Sequence, residues 1–585
     1  MLGKCSLITL PAYCNKWQTF KTRTYLSFID DQLTSSIRRN ILERLIESGF
    51  QITPDALQYL LDQEFPMETV ETKILVKNPA ESPSVLSKDY IESLIEGYEA
   101  APEFIEPSLV FHEEPQESRI DSNLEVITSE WDFRIEKSPG DESVGSEGTI
   151  DDFLMMFRDR FERIKKIYMA RIDTQNAVPP SVAKMRKSPT RRAGPMDGDG
   201  SRQRRPPSQV VLGIIRDKSI SKSQNVIIDF EEYQKDADPT DTRSSSKGGN
   251  ESIICIIPSK LSGLKGTNLS EKANSLLLDE IVCISGSVDT DSRMIADDVL
   301  FPDIPTARQI GRAKRDIYAA FISDLHCGSQ EFLEEELDKF IGWLNGKDVD
   351  DADKSLIENT RYLFIAGDLV DGISVYPGQR YHLEITSLYD QYALIAEKLR
   401  KLPEHVKVFC IPGNHDAARQ ALPKPPIMKT FAEPLYNLEN VTMLGDPSQV
   451  TVEGVNVLIT HGDSLDDLVT MLPGASYTEP AIPMKELLKK RHLAPVYGGK
   501  TELAPLHRDW MVIDTPPDVV HFGHAHHNAV DNYRGVQIIN SGTFQSQTDF
   551  MRKQGVVPTP GIVTFLNLKT GSPEVKFFYD LTQQD

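Results

Sequence analysis

The sequence has few cysteines and less positive than negative charge. Its six cysteines are scattered over 585 residues without a Cys-x-x-Cys pair, which predicts buried free thiols in a reducing compartment rather than a disulfide framework. Acidic residues outnumber basic ones by 87 to 64, for a formal net charge of -23. This balance argues against a protein that coats nucleic acid, because each phosphate contact needs a cationic partner. Any nucleic-acid contact is expected to be local or shared with a partner.

Long apolar runs are also missing. No stretch approaches the roughly 18 consecutive apolar residues that a membrane-spanning helix needs. The first residues contain a short apolar run but no convincing small-residue cleavage site. The sequence therefore predicts a cytoplasmic protein without a membrane partner, and its length predicts several domains.

The N-terminal third divides into a helical part and a polar part. Residues 25–110 have apolar residues at helical spacing, as in SSIRRNILERLIESGF, and predict a small helical domain. Residues 111–207 are rich in Glu, Ser, Pro, Gly and Arg, with one amphipathic stretch, IDDFLMMFRDRFERIKKIYMARI. Their composition predicts a low-complexity, disordered linker, because such segments bury too little apolar surface to offset chain entropy.

Short β-rich runs separated by turns fill residues 208–306. Five of them, VVLGIIRD, NVIIDF, SIICIIPS, EIVCISGSV and MIADDVLF, predict a small barrel of the OB type. OB barrels often bind single strands, but few aromatic residues are available here to stack on bases. A structural or partner-docking barrel is an equally open interpretation.

Strands and helices alternate in residues 307–585, and five predicted strands each end in a polar cluster. Ligands of α/β sheets collect outside the carboxyl ends of strands, so the five endings are expected to form one site. The clusters are Asp324 and His326 in SDLHCG, Asp368 in AGDLVDG, Asn414 and His415 in PGNHD, His461 in THGD, and His524 and His526 in GHAHHN.

Each cluster alone is weak evidence, since an Asp-x-His is more often a capped turn and a buried histidine is more often a core residue. Together, two Asp, one Asn and four His offer seven oxygen and nitrogen ligands. That number is too large for one tetrahedral ion and suits two ions that share a bridging carboxylate.

The pattern DxH, GDxxD, GNHD, a later His and GHxH resembles the calcineurin-like metallophosphoesterase superfamily. The resemblance implies that one metal is held by Asp324, His326, Asp368 and His526, and the other by Asp368, Asn414, His461 and His524. It implies two divalent ions, with manganese favoured over magnesium, iron, zinc or nickel, none of which the ligand types exclude.

Three further residues receive roles from the same resemblance. His415 is expected to be the catalytic residue that faces the substrate and helps to protonate the leaving oxygen. Asp416 is expected to accept a hydrogen bond from an imidazole behind the ligands, although a turn residue is the alternative. Asp371, the second Asp of GDxxD, is expected either to support a ligand in the same way or to form a turn.

The amino-acid sequence around the predicted ligands is similar to that of the small-subunit family of archaeal family D DNA polymerases. The stretches that carry this resemblance are GDLVDGISVYPGQ, LPGASYTEPAIPMKELLKKRHLAPVYGGKTELAP and NSGTFQSQTDFMRKQGVVPTPG. It covers the chain well from about Val210 onward and the N-terminal third only in outline. The implied fold is multidomain α+β: a small helical N-terminal domain, an OB-fold β-barrel and an α/β metallophosphoesterase sandwich.

The implied function is a metal-dependent 3′-to-5′ proofreading exonuclease within a two-subunit archaeal replicative polymerase. The expected partners are a large catalytic subunit, the primer 3′ end or single-stranded DNA, and, as a further candidate, a sliding clamp. The expected location is the cytoplasm, associated with the nucleoid. A scaffold subunit without turnover and another kind of metallophosphoesterase remain as alternatives.

A basic run lies between the THGD and GHAHHN motifs. Its residues Lys489, Lys490, Arg491 and His492 are predicted to contact the DNA backbone beside the metals. A solvated helix face is the alternative interpretation.

Overall fold

The computed structural model describes residues 131–140, 144–186, 208–233, 252–259 and 264–580, together with short stretches before residue 92. The chain divides into two compact units, Met1–Leu124 and Glu125–Asp585. In the first unit, helix α1 (Pro54–Leu61) lies between two short parallel strands in sequence, β1 (Gln51–Ile52) and β2 (Val85–Leu86). Most of the predicted helical domain at 25–110 lies outside the described residues.

The second unit begins with a segment that the sequence analysis assigned to a disordered linker, 111–207. That prediction is wrong for most of 131–186, which form strand β3 (Phe133–Lys137) and helices α2 (Ile150–Met169) and α3 (Pro180–Met185). Helix α2 begins at a capping box, in which Thr149 and Asp152 each accept the backbone N–H of the other. Its buried face packs against the barrel. This apolar stripe stabilises the helix even though the flanking sequence is polar.

The predicted barrel is confirmed. Its strands are β4 (Gln209–Ile220), β5 (Val226–Glu231), β6 (Ser252–Ile257), β7 (Ile281–Val288) and β8 (Met294–Leu300), and helix α4 (Leu264–Asn274) lies between β6 and β7 in sequence. The strand order is β4-β5-β6-β8-β7, and pairing of β4 with β7 closes the barrel. Alternate residues of β5, Val226, Ile228 and Phe230, point inward, as the two-residue period of a strand requires.

Eleven strands follow: β9 (Tyr318–Ile322), β10 (Thr360–Ala366), β11 (Lys407–Ile411), β12 (Val441–Met443), β13 (Ser448–Val452), β14 (Val455–Ile459), β15 (Val519–Phe522), β16 (Ala529–Tyr533), β17 (Val536–Asn540), β18 (Ile562–Asn567) and β19 (Pro573–Phe577). Two six-stranded sheets result, in the orders β12-β11-β10-β9-β18-β19 and β16-β17-β15-β14-β13-β3. The strand β3 from the supposed linker thus completes the second sheet.

Seven helices accompany these strands: α5 (Glu334–Leu344), α6 (Lys354–Glu358), α7 (Leu388–Arg400), α8 (Lys429–Tyr436), α9 (Leu465–Met471), α10 (Ala481–Lys490) and α11 (Asp549–Gln554). Helices α5, α7 and α8 contribute to the core on the outer face of the first sheet, and α9 and α10 to the core of the second. The result is a sandwich of two sheets with helices on both sides, as predicted. Among the described residues, no helix is both long and apolar enough to cross a membrane.

The two sheets pack through a buried apolar layer. Phe321, Phe364 and Phe409 occupy paired positions on β9, β10 and β11, and neighbouring rings stack with centroids 5.2 Å apart. The opposing sheet contributes Val457 and Val519 to the same core. This layer holds the carboxyl ends of the two sets of parallel strands at one end of the sandwich, where the polar loops meet.

Candidate metal centre

All seven predicted metal ligands come together at this end of the sandwich. They lie on the loops that follow β9, β10 and β11 in one sheet and β14 and β15 in the other. Four groups of carboxylate and imidazole donors form here, each with its ligand atoms within 4.8 Å of one another. Because the strands within each set are parallel, their carboxyl ends share one edge, and sheet packing joins the two edges.

One half of the site consists of Asp324, His326 and His526. The Nε2 atoms of the two imidazoles are 3.1 Å apart, and Nε2 of His526 lies 3.3 Å from Oδ1 of Asp324. All three residues are buried. They offer one carboxylate and two imidazole donors at a single point.

The other half consists of Asn414, His461 and His524. The amide oxygen of Asn414 lies 2.9 Å from Nε2 of His461 and 3.1 Å from Nδ1 of His524. Asp368 lies between the halves, since its Oδ2 atom is 3.6 Å from Nε2 of His326 and 3.4 Å from Nε2 of His461. This is the position that a carboxylate shared by two ions would occupy.

The outward nitrogens of three imidazoles are all engaged by groups that only accept hydrogen bonds. His326 donates from Nδ1 to Asp371 Oδ1 (3.1 Å), and His461 donates from Nδ1 to the Ala366 carbonyl (2.7 Å). His524 donates from Nε2 to Asp466 Oδ1 (2.8 Å).

A neutral imidazole that donates from one nitrogen carries a lone pair on the other. When these three rings are neutral, the lone pair faces inward, toward carboxylate and amide oxygens that also only accept. Such a collection of buried acceptors is repulsive unless cations lie between them. The donor set therefore fits divalent metal ions.

The pKa values of the site residues point the same way. Burial lowers the pKa of His461, but the carboxylate of Asp368 outweighs this and raises the pKa to about 10. Burial raises the pKa of Asp368, yet the imidazoles of His461 and His415 hold it well below its ordinary value. A proton on His461 thus takes the place that a cation would fill.

Backbone strain is concentrated at the ligands. Positive φ angles between 49° and 65° occur at five of them: Asp324, His326, Asp368, His524 and His526. Residues other than glycine rarely adopt this left-handed region, and such conformations cluster at functional sites. The strain is held in place by the packed sheets and by the hydrogen bonds behind each ligand.

Gly413 provides space for the shared carboxylate. A Cβ atom at Gly413 would overlap Oδ1 of Asp368. The same carboxylate oxygen accepts the backbone N–H of His415 at 2.8 Å. The GNHD motif therefore supplies the amide oxygen of the predicted ligand Asn414 and also a backbone that fits closely around Asp368.

His415 lies at the edge of this cluster with its ring fixed. Its Nδ1 atom donates to the carbonyl of Asp371 at 2.8 Å, and its ring packs edge-on against His326 with centroids 4.7 Å apart. Asp371 therefore orients both rings, one through its carboxylate and one through its carbonyl. This placement agrees with a supporting role for Asp371.

Asp416 has partners that differ from the prediction. Its carboxylate accepts the backbone N–H groups of Leu369 (3.2 Å) and Gly413 (2.9 Å) and the hydroxyl of Tyr392 (3.1 Å). The expected imidazole is not among these described partners. Burial, together with the nearby charge of Asp368, raises the pKa of Asp416 to about 6. Asp416 thus connects the loop after β10 with the loop after β11 through hydrogen bonds. It does not set an imidazole tautomer.

The predicted DNA-contacting run is mostly buried, so this placement contradicts the prediction for three of its four residues. Lys490 is enclosed and pairs with the buried Glu280, the residue directly before the barrel strand β7 (3.1 Å). Buried Arg491 donates to the carbonyls of Ile513 (2.8 Å) and Asp303 (3.2 Å).

His492 and Lys489 complete this run. His492 is buried and donates to Asp509 (2.9 Å), whereas Lys489 is half-buried beside Glu486. The sequence pattern of basic residues at a helix end predicts a binding surface, but here Lys490 joins the sandwich to the barrel and the other three residues are paired within their own surroundings. A buried and paired cation is not available to a phosphate.

Two acidic residues of the site were missed by the sequence analysis. Asp466, in the first turn of α9, holds the outer nitrogen of His524 and also accepts the Tyr477 hydroxyl at 2.8 Å. Asp463 forms a metal-competent group with His461 and His524 and pairs with the fully buried Lys424 at 2.7 Å. The only signal was an acidic run, HGDSLDD, directly after a ligand.

Comparison with known proteins identifies the family. A family model that describes the B subunits of DNA polymerases alpha and epsilon matches residues 319–530. Over 453 residues, 77% of this chain, the sequence is 36% identical to the DNA polymerase II small subunit of Methanocaldococcus jannaschii, of which 69% is covered. The chain belongs to the small-subunit family of archaeal family D DNA polymerase.

A second member of this small-subunit family, from Archaeoglobus fulgidus, is 38% identical over 419 residues, covering 71% of this chain and 75% of the relative. These matches confirm the resemblance found in the sequence. Among solved structures, an archaeal phosphodiesterase is 14% identical with a TM-score of 0.24, covering 44% of this chain and 99% of that one. A phosphoesterase from E. coli is 14% identical with a TM-score of 0.22, covering 45% and 100%.

Proposed function

We propose that this chain is the exonuclease subunit of a two-subunit replicative DNA polymerase, and that it removes nucleotides 3′ to 5′ from an unpaired primer end. The observation that carries the proposal is the position of the Asp368 carboxylate between inward-facing nitrogens of His326 and His461. Membership of the polymerase small-subunit family supports DNA as the substrate.

Two divalent ions, with manganese favoured, would supply Lewis-acid stabilisation of the charge that develops on the phosphoryl oxygens. We assign one ion to Asp324, His326, Asp368 and His526, and the other to Asp368, Asn414, His461 and His524. The remaining chemistry belongs to the side chains of the chain itself. They fix the ligands, orient the phosphodiester and move one proton.

We assign that proton transfer to His415. The Asp371 carbonyl engages its Nδ1 atom, so Nε2 is the nitrogen available to the substrate. Release of a 5′-nucleotide breaks the bond between phosphorus and the 3′ oxygen of the preceding nucleotide. The oxygen of a water molecule becomes bonded to phosphorus, and one proton of that water passes to solvent, from which His415 is later reprotonated. When protonated at Nε2, His415 would give this proton to the leaving 3′ oxygen.

The charge of the chain fits a division of labour between subunits. A net charge of -23 disfavours an extensive grip on duplex DNA. We propose that a large subunit carries polymerisation and most of the duplex contacts, with a sliding clamp as a further partner. This chain would then handle a few frayed nucleotides, whose unpairing is least costly at a mismatch. A replicative role would place it with the chromosome in the cytoplasm.

The test is digestion of a 5′-labelled primer-template with a 3′ mismatch in the presence of manganese. We expect stepwise shortening from the 3′ end by the intact chain and loss of shortening in His415→Ala and Asp368→Asn. His507→Ala is a matched control, because this histidine is exposed and lies outside the cluster.

Other outcomes distinguish the alternatives. Hydrolysis of bis(p-nitrophenyl) phosphate without DNA digestion, even with the large subunit added, would indicate a phosphoesterase with another substrate. Turnover of neither substrate, with metal bound and the partner supplied, would indicate a scaffold subunit.

A further inference from the structure

The loop after Asp371 exposes an unusual amount of apolar surface beside the site. This active-site loop, residues 372–385, connects the GDLVD motif to the approach to α7. Within nine positions, four of its large apolar side chains are exposed: Ile373 by 41%, Val375 by 37%, Tyr376 by 39% and Tyr381 by 68%. Single exposed apolar side chains are common on protein surfaces, but a cluster of them marks a binding surface.

The active-site loop is held firmly by two buried glutamines. Gln379 donates to the carbonyl of Asp371 (2.7 Å) and to its carboxylate (2.8 Å), and it accepts the N–H of Val375 (2.8 Å). Gln391, from α7, donates to the Ile385 carbonyl (2.7 Å) and accepts the N–H of Gly372 (3.0 Å). The exposed side chains are therefore presented by an ordered loop that is tied to the same Asp371 that orients His326.

Tyr376 lies next to the catalytic histidine. Its ring centroid is 6.5 Å from that of His415 and 6.3 Å from that of His382. Further along the loop, the guanidinium of Arg380 lies 4.7 Å from the centroid of the Tyr381 ring. Aromatic faces next to a cation beside a phosphodiester site are the arrangement by which proteins hold unpaired nucleotides.

We propose that Tyr376 is a stacking platform for the base of the penultimate nucleotide of the DNA strand, the one that carries the leaving 3′ oxygen. This inference rests on the proposed function, because it uses the assignment of His415 to protonate that oxygen. The nucleotide that bears the oxygen must lie on the His415 side of the site, and Tyr376 is the exposed aromatic residue that packs against His415 on the active-site loop. Stacking on an aromatic ring tolerates any base, as a proofreading enzyme requires.

The test measures KM on three single-stranded oligonucleotides: an unmodified one, one with an abasic penultimate nucleotide, and one with an abasic 3′-terminal nucleotide. For the intact chain, we expect the abasic penultimate site to raise KM roughly tenfold, the effect of one lost stacking contact. Tyr376→Ala should raise KM for the unmodified strand by a similar factor and remove the penultimate discrimination. Tyr376→Phe should retain it, because the ring is kept.

Ile172→Ala serves as a control for loss of an exposed apolar side chain, since Ile172 lies on the turn after α2, outside the active-site loop. If Tyr376→Ala discriminates against the abasic penultimate nucleotide as strongly as the intact chain does, the platform is refuted while the exonuclease proposal stands. Discrimination confined to the terminal nucleotide would also refute it. If the intact chain, with the large subunit present, shortens no oligonucleotide, the proposed function fails and this inference fails with it.

Discussion

His524 and Asp466 are joined by a hydrogen bond of 2.8 Å between the imidazole Nε2 and the carboxylate Oδ1. Burial raises the pKa of Asp466, but the hydrogen bond from His524 outweighs this, and the pKa is lowered to about 2. The carboxylate is therefore ionised at neutral pH and keeps Nδ1 of His524 directed at Asn414. The orientation of one predicted ligand thus depends on a residue outside the ligand motifs.

Replacing Asp466 with Asn should weaken divalent-metal binding by about 10- to 100-fold, the usual effect of losing the partner behind a ligating histidine. Titration calorimetry with manganese would measure the change. Asp351→Asn, which alters a highly exposed carboxylate, should bind manganese as the intact chain does. Unchanged affinity in Asp466→Asn would show that His524 does not need this partner.

Gly413→Ala should reduce phosphodiester hydrolysis by roughly a hundredfold, because a Cβ atom would displace the shared carboxylate of Asp368. Gly145→Ala is the matched control, since a Cβ there meets nothing within 4 Å. Initial rates on bis(p-nitrophenyl) phosphate would measure the effect. Full activity of Gly413→Ala would contradict the close fit of this loop around Asp368.

Manganese should raise the thermal unfolding midpoint of the intact chain. An ion present at 100 times its Kd adds about 2.7 kcal/mol to the free energy of unfolding. In Asp368→Asn, where the shared carboxylate is lost, the shift should largely disappear, whereas His507→Ala should retain it. Scanning fluorimetry with EDTA or manganese makes the comparison, and an equal shift in Asp368→Asn would place the ions elsewhere.

Arg160→Ala should destabilise the contact of α2 with the sandwich by roughly 3 to 5 kcal/mol, because it removes the cationic partner of the buried Asp509 carboxylate and leaves it only the hydrogen bonds from His492 and Met511. Arg160 and Asp509 are both almost fully enclosed, with Nε and Oδ2 2.5 Å apart. The exposed Arg158 provides the control substitution, for which urea unfolding should change by less than about 0.5 kcal/mol. Equal stability of both variants would show that α2 is only loosely attached.

His492 should make stability fall at acid pH. Burial and the nearby Arg160 lower its pKa from the ordinary 6.5 to about 4, and its Nδ1 accepts the N–H of Ala494. Between these two values the unfolded chain binds more protons than the folded one, so the free energy of unfolding decreases as pH falls from 6.5 to 4. The slope contributed is at most about 1.4 kcal/mol per pH unit.

His492→Asn keeps an acceptor near the Nδ1 position but does not titrate. Its urea unfolding free energy should be lower overall, because the bond to Asp509 is lost, yet should depend less on pH between 4 and 6.5. An unchanged slope would assign the acid sensitivity to other groups.

Much of the candidate metal site was predictable because each predicted ligand directly follows a strand-forming apolar run. The motifs around Asp324, Asp368 and His461 are short, and local sequence determines both the strand and the polar loop after it. The residues that hydrogen-bond to the predicted ligands from behind were harder to predict from the sequence. Asp466 reaches His524 across 58 positions of sequence, and only the packing of α9 beside the second sheet brings them together.

The linker and the basic run were misjudged for a related reason. Composition describes a window of sequence, whereas burial depends on what packs against a segment. The apolar stripe of α2 packs against the barrel, and Lys490 pairs with Glu280. In both cases the partner belongs to an element that is distant in the chain. A charge pattern alone does not distinguish a solvated helix face from an interdomain contact.

Local sequence was enough to predict the strand-loop units, the strands of the barrel and the seven candidate metal ligands, because these depend on local periodicity and residue chemistry. Local sequence does not show which imidazole nitrogens face inward, which carboxylates lie behind them, or which basic residues are enclosed. Those properties depend on contacts between elements far apart in the chain, and the packing of two sheets determines them.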